Sequence, residues 1–171
     1  EDTQMTRDVL ETLSNLMDPE VPRTVDSDAG QVKALHNASI FLTNEGHLLE
    51  VLNSSEDSDL YVRFHAVQVV MKLLACARRQ TQADILNQPA TIGRILSLAE
   101  DRREIVRNEV LLLLARLGEG NAGLQNIMAF QGAFEQLLGI IESESKEEGA
   151  SSRAHALFDA GAPRPRAIHA R

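Results

Sequence analysis

Five histidines, one cysteine and one glycine-rich string are the features of this 171-residue chain whose residue types could carry out chemistry. A metal site or a general base would begin with His36, His47, His65, His155 or His169. None of them stands four residues from another histidine, and none lies in an H-E-x-x-H pattern, the spacing that puts two imidazoles on one helix face. Cys76, the single cysteine, excludes an intramolecular disulfide and a cysteine-based zinc site. It sits in an apolar stretch and reads as a small core residue rather than a nucleophile. Gly118-Glu119-Gly120-Asn121-Ala122-Gly123 fits G-x-G-x-x-G, but dinucleotide binding needs a strand before that string. The preceding Val110 to Leu117 has helical character, so the glycines read as a turn between helices. No nucleophile elbow is visible. The paired carboxylates Glu147-Glu148 lie in a stretch too irregular to hold catalytic geometry. No catalytic residue, cofactor-binding residue or metal ligand is assigned, no cofactor is implied, and the expectation is a protein that is not an enzyme.

Composition narrows the remaining classes. Acidic residues outnumber basic ones 25 to 17, a net charge of −8 that would repel a phosphate backbone. Aromatics are 4% of the chain, with no Trp and one Tyr, which disfavours base-stacking modules. Hydrophobic residues reach 43%, enough for an aliphatic core. Glu1-Asp2-Thr3-Gln4 is unlike a secretory signal, so the sequons at Asn37 and Asn53 are expected to stay unmodified. The longest apolar run, Val110 to Ala115, falls far short of the roughly 20 residues a membrane span needs. A reducing, cytosolic setting and a peripheral membrane link at most are expected. The chain begins at Glu1 rather than Met and is expected to be a fragment of something longer.

Helical periodicity dominates the elements that would position any site. Val9, Leu10, Leu13, Leu16 and Met17 recur at helical spacing. Pro19 to Gly30 reads as a loop, after which Val32, Leu35, Ile40 and Phe41 resume the pattern. His47 to Leu52 is a short helix, and the last residues of the Asn53 to Asp59 loop offer N-caps. A long helix from Leu60 to Arg79 follows, then a short one from Gln82 to Asn87 and one opened by Pro89 through Leu98. Arg103 to Leu117, Asn121 to Phe130 and Ala133 to Ser143 complete the series, with no convincing strand.

These elements repeat. Tyr61-Val62-Arg63 through Leu73 aligns with Ile105-Val106-Arg107 through Leu117 at a shift of 44, matching Ala66 to Val110, Val69 to Leu113 and Lys72 to Arg116. Phe41, Leu48, Val51 and Leu52 match Ile85, Ile92, Ile95 and Leu96 at 44, and these match Ile127, Phe134, Leu137 and Leu138 at 42. Each unit reads short, medium, long helix. A period of this size with three helices predicts an all-α, armadillo-like helical repeat solenoid, right-handed, in which stacked neighbours bury each other's apolar faces. The expected organisation is repeats over 1–145 and a disordered tail over 146–171. The tail turns to Ala, Pro and Arg and shifts from a net charge of −10 to +2, and with it the last repeat loses its long third helix.

In such solenoids the third helices line the concave groove. His65, Gln68 and Lys72 cluster on the polar strip of one third helix, and Glu109 and Arg116 occupy the same strip of the next, with Leu112 between them. Stacking is expected to bring the five into one row of mixed charge, suited to a protein partner and not to nucleic acid. The plain alternative is a solvated helix face.

The strings Tyr61 to Val70, Ile105 to Leu113 and Ile127 to Ile141 resemble the globular head of the general vesicular transport factor family, long tethering proteins of ER-to-Golgi traffic. The resemblance covers about residues 1–145. It implies a protein-interaction module of a tether acting in ER-to-Golgi and intra-Golgi transport, docking vesicles before membrane fusion. It further implies Rab GTPase, Golgi matrix protein and SNARE partners, and a cytoplasmic location peripheral to Golgi membranes and vesicles. Family members dimerise through a coiled coil and end in an acidic tail; no heptad run occurs here. A second reading is an armadillo adaptor or scaffold unrelated to membrane traffic.

Overall fold

The computed structural model describes residues 2–18, 27–56 and 59–146. The helices are α1 (Asp2–Leu16), α2 (Ser27–Phe41), α3 (His47–Asn53), α4 (Leu60–Asn87), α5 (Ala90–Leu98), α6 (Glu104–Gly118) and α7 (Ala122–Phe130), with a 3-10 turn at Ser54–Glu56 and a final helix over 133–146. No strand occurs among the described residues. The expected tail lies outside them from residue 147 on. The described residues fall into two units, one ending at Ala133 and one beginning at Phe134.

The centre of the first unit is α4, which packs on α1, α2 and α6. Asp59 caps it by accepting from the N–H groups of Tyr61 and Val62. The long and short helices expected over 60–87 are one element bent at Ala77, whose φ of −136° and ψ of 43° leave the helical region. The bend divides α4 into the third helix of one repeat and the first helix of the next. The fold is the armadillo-like all-α repeat that the period predicts. Val62, Ala66, Val69 and Leu73 of α4 and their counterparts Val106, Val110, Leu113 and Leu117 of α6 are all fully buried. Pro89 occupies the cap position of α5 rather than its first turn.

The α6–α7 turn explains the glycine string. Gly120 has φ +70°, open to glycine at little cost, and a Cβ on Gly118 would come within 2.9 Å of the Met128 side chain. The carbonyls that end α6 are met by side chains. Buried Gln82 donates to the carbonyls of Leu117 at 2.9 Å and Glu119 at 3.2 Å, and Gln125 donates to that of Gly118 at 2.8 Å.

Four expectations are corrected. In α1 the buried stripe is Leu10, Ser14 and Met17, while Val9 and Leu16 are exposed. In α2 the buried positions are Ala34 and Ala38, while Val32, Leu35 and Ile40 face outward, because α2 lies close to its neighbour on small side chains. Cys76 is half-buried rather than core, since the helix bends at the next residue. Burial, then the charge of Asp18, pushes its thiol pKa up. Finally, counting unbroken apolar runs understates α4. Among the described residues it alone is long and apolar enough to cross a membrane by length and composition, with a mean hydropathy of 1.4 over 18 residues. Most of its large apolar side chains, from Val62 to Ile85, pack into the core.

Candidate partner-binding surface

Helices α1, α4 and α6 are successive third helices, and α4 packs against both of the others. The residues Arg7, Leu10, Leu13 and Met17 of α1 stand in the places of Arg63, Ala66, Val69 and Leu73, 56 residues further on. The extra length lies between α1 and α2, which hides this first repeat from a search at 44.

Two of the five row residues meet across the helix pair: Gln68 Nε2 donates to Glu109 Oε2 at 2.9 Å. His65 is half-buried on the same helix, edge-on to Phe64. Lys72 turns away to Asp18, with Nζ 2.8 Å from Oδ2 and the lysine side chain 25% exposed. Its charge is therefore committed within the fold. Arg116 is exposed and forms no ion pair among the described residues. Leu112, between Glu109 and Arg116, is also exposed. The row is thus a joined pair, a tied lysine and a free arginine rather than five equivalent groups.

A second cluster, which the sequence reading did not single out, lies at the N-terminal ends of the same helices. Arg7 Nη2 reaches both Asp59 oxygens at 3.1 Å, and its guanidinium lies 4.4 Å above the centre of the Tyr61 ring. One repeat on, Arg63 Nε lies 2.5 Å from Asp101 Oδ2, with both side chains at most 8% exposed. Asp101 also accepts from the Arg103 N–H at 2.8 Å, and its main-chain oxygen accepts from Arg107. Partial burial pushes both carboxyls up. It is outweighed at Asp59 by Arg7 and the Val62 and Tyr61 N–H groups, and at Asp101 by Arg63, the Arg103 N–H and Arg102, so both stay below the ordinary carboxylate value. A cavity of about 770 Å³ opens here, lined by Thr3, Asp59, Tyr61, Arg63, Arg102 and Arg103 among others. The signal for this cluster was the matched Arg63 and Arg107, but their partners lie at unequal separations. Among the described residues no group of three or more His, Cys, Asp or Glu side chains is placed to hold a metal ion.

No family model matches the chain. Golgin candidate 6 of Arabidopsis thaliana is 33% identical over 149 residues, 87% of this chain and 16% of that protein. General vesicular transport factor p115 of Homo sapiens is 32% identical over 151 residues, 86% of this chain and 16% of that protein. The chain is homologous, over most of its length, to proteins named general vesicular transport factor. The crystal structure of Uso1-1 superimposes with a TM-score of 0.61 at 25% identity, over 81% of this chain and 21% of that one. The chain spans about 16% of the length of the p115 and golgin relatives it matches. The p115-type match includes α4 and α6, so the paired third helices belong to the family's shared region.

Proposed function

We propose that this chain is a protein-interaction module of a vesicle-tethering factor that acts in ER-to-Golgi and intra-Golgi transport and docks vesicles before fusion. The observation that carries this reading is the relationship, over 86% of the chain, to a protein named a general vesicular transport factor. The fold supports it. The described helices form an armadillo-like fold, an architecture that presents extended surfaces rather than an enclosed reaction site. The module works from the cytoplasmic side as a peripheral component of Golgi membranes and vesicles. Its partners are proteins: a Rab GTPase, Golgi matrix proteins and SNAREs. The row His65, Gln68, Lys72, Glu109 and Arg116 is the proposed contact surface, with Arg116 and Leu112 as its accessible groups.

The test is binding of the chain to a GTP-loaded Rab of the ER-to-Golgi step and to Golgi matrix protein, with circular dichroism as the fold control. The Arg116→Glu variant, which leaves the Lys72–Asp18 pair in place, is expected to bind about tenfold more weakly, the scale for reversing a charge in a protein interface. Unchanged binding with an intact fold would remove the row from the partner surface. Absence of binding by the wild-type chain to all these partners would remove the tethering reading.

A further inference from the structure

The arginine-lined cavity lies outside the proposed row and rests on separate observations. The chain as a whole carries a net charge of −8, yet among the described residues the cavity wall holds Arg63, Arg102 and Arg103 against one carboxylate, Asp59. Asp59 is met by Arg7, and Arg63 is spent on Asp101. Arg102 and Arg103 are exposed and form no ion pair among the described residues. Glu104, the acid beside them, is in contact with the Asn108 amide, 3.4 Å away. Two positive charges are therefore left facing solvent at the cavity.

The same place offers apolar contact. Tyr61 lines the cavity and is 54% exposed. Met5 and Ile105 hold the same helix position on α1 and α6 and are also exposed, although of the three only Tyr61 lines the cavity. A small inorganic anion would use the arginines and leave this apolar set untouched. A long polyanion would meet the acidic remainder of the surface.

We propose that this cavity binds a short acidic segment of a partner protein, with carboxylates on Arg102 and Arg103 and an apolar side chain against Tyr61. The guanidinium fork suits a carboxylate in two-point contact, and a cavity of this volume admits several side chains. Charge complementarity at an exposed rim gives selectivity, and the aromatic contact gives the anchor.

The probe is a fluorescein-labelled hexapeptide, Glu-Asp-Phe-Glu-Asp-Leu, titrated with the full chain and read by anisotropy. Saturable binding is expected. It should weaken about tenfold in Arg102→Glu/Arg103→Glu. It should weaken about threefold in Tyr61→Ala, and equally when Gly replaces the Phe of the peptide. Arg79→Glu, at an exposed arginine that neither lines the cavity nor belongs to the row, should leave it unchanged, which separates the cavity from a general effect of charge. Arg102→Ala/Arg103→Ala, expected to show the same direction of change, serves if the reversal disturbs the circular dichroism spectrum. Several results would overturn the proposal. They are no saturable binding, binding indifferent to the arginines, and binding that needs the arginines but neither Tyr61 nor the peptide Phe. Displacement by inorganic phosphate or phosphatidylserine vesicles more effective than by unlabelled peptide would do the same.

Discussion

The interface of α1 with α4 and that of α4 with α6 join equivalent helices with the same polar device in different surroundings. In the first, Arg7 meets Asp59 with both side chains about a quarter exposed; in the second, Arg63 meets Asp101 with both nearly sealed. The apolar contacts follow suit. Leu13 of α1 is half-buried where its counterparts Val69 and Leu113 are fully covered, and Ser14 takes a buried place in α1. The α4–α6 interface draws on hydrophobic burial and a sealed ion pair, while the α1–α4 interface includes wetter contacts. The repeat therefore fixes which positions touch, and the amount of covering structure fixes what each touch is worth.

The sharpest way to break this comparison is to truncate leucines at the equivalent position. Leu113→Ala should cost about 2–5 kcal/mol, the range for a buried leucine replaced with a residual cavity. Leu73→Ala, at another fully buried position, should fall in the same range. Leu13→Ala should cost clearly less, because part of its surface is already in water. Leu112→Ala, one residue away but exposed, should stay within about 0.5 kcal/mol. Urea unfolding followed by circular dichroism measures all four. Equal losses at Leu13 and Leu113 would show that covering does not distinguish the two interfaces.

The ion pairs come next. Asp101→Ala leaves Arg63 buried without its partner and should cost about 3 kcal/mol, the lower end for a buried pair losing one member, since this pair borders an open cavity. Asp59→Ala removes a pair about a quarter exposed and a helix cap and should cost less. Both carboxyls have folded pKa values below the ordinary 3.8. Their contributions are therefore complete above the unfolded value and are lost as pH falls through the folded one. Acid unfolding of Asp101→Ala should accordingly be shallower below pH about 4 than that of the wild type. A steeper fall would reverse the sign assigned to this group.

Legibility in the sequence followed the same divide. The α4–α6 pairing could be read directly because large aliphatic residues recur at 44 in both helices and are buried in both. The α1 repeat could not, because its spacing is 56. The ion pairs were hidden for a related reason: Arg7 and Asp59 are 52 residues apart, Arg63 and Asp101 38. Of the candidate row, the shift of 44 matches Gln68 to Leu112 and His65 to Glu109, so the Gln68–Glu109 contact is offset from the register, and nothing in helical periodicity could show that Lys72 would be drawn to Asp18. Hydrophobicity also misled where a helix sits close to its neighbour. There alanine, not valine or leucine, marks the inward face, and the larger apolar residues of α2 were read as its core stripe.

That last point yields the smallest and most diagnostic effect. Ala38 is completely buried in α2, and Asn37 beside it donates to the Leu16 carbonyl at 2.9 Å, fixing α2 close to the end of α1. Ala38→Leu inserts three carbons where the helices leave no room and should cost about 1–3 kcal/mol through overpacking. Ile40→Ser removes a larger apolar group, but from a side chain 56% exposed, and should stay within about 0.5 kcal/mol. A stripe read from hydrophobicity alone predicts the reverse order, a tolerated leucine and a costly serine. The ranking of these two variants in urea unfolding therefore tests which face of α2 closes the α1–α4 region.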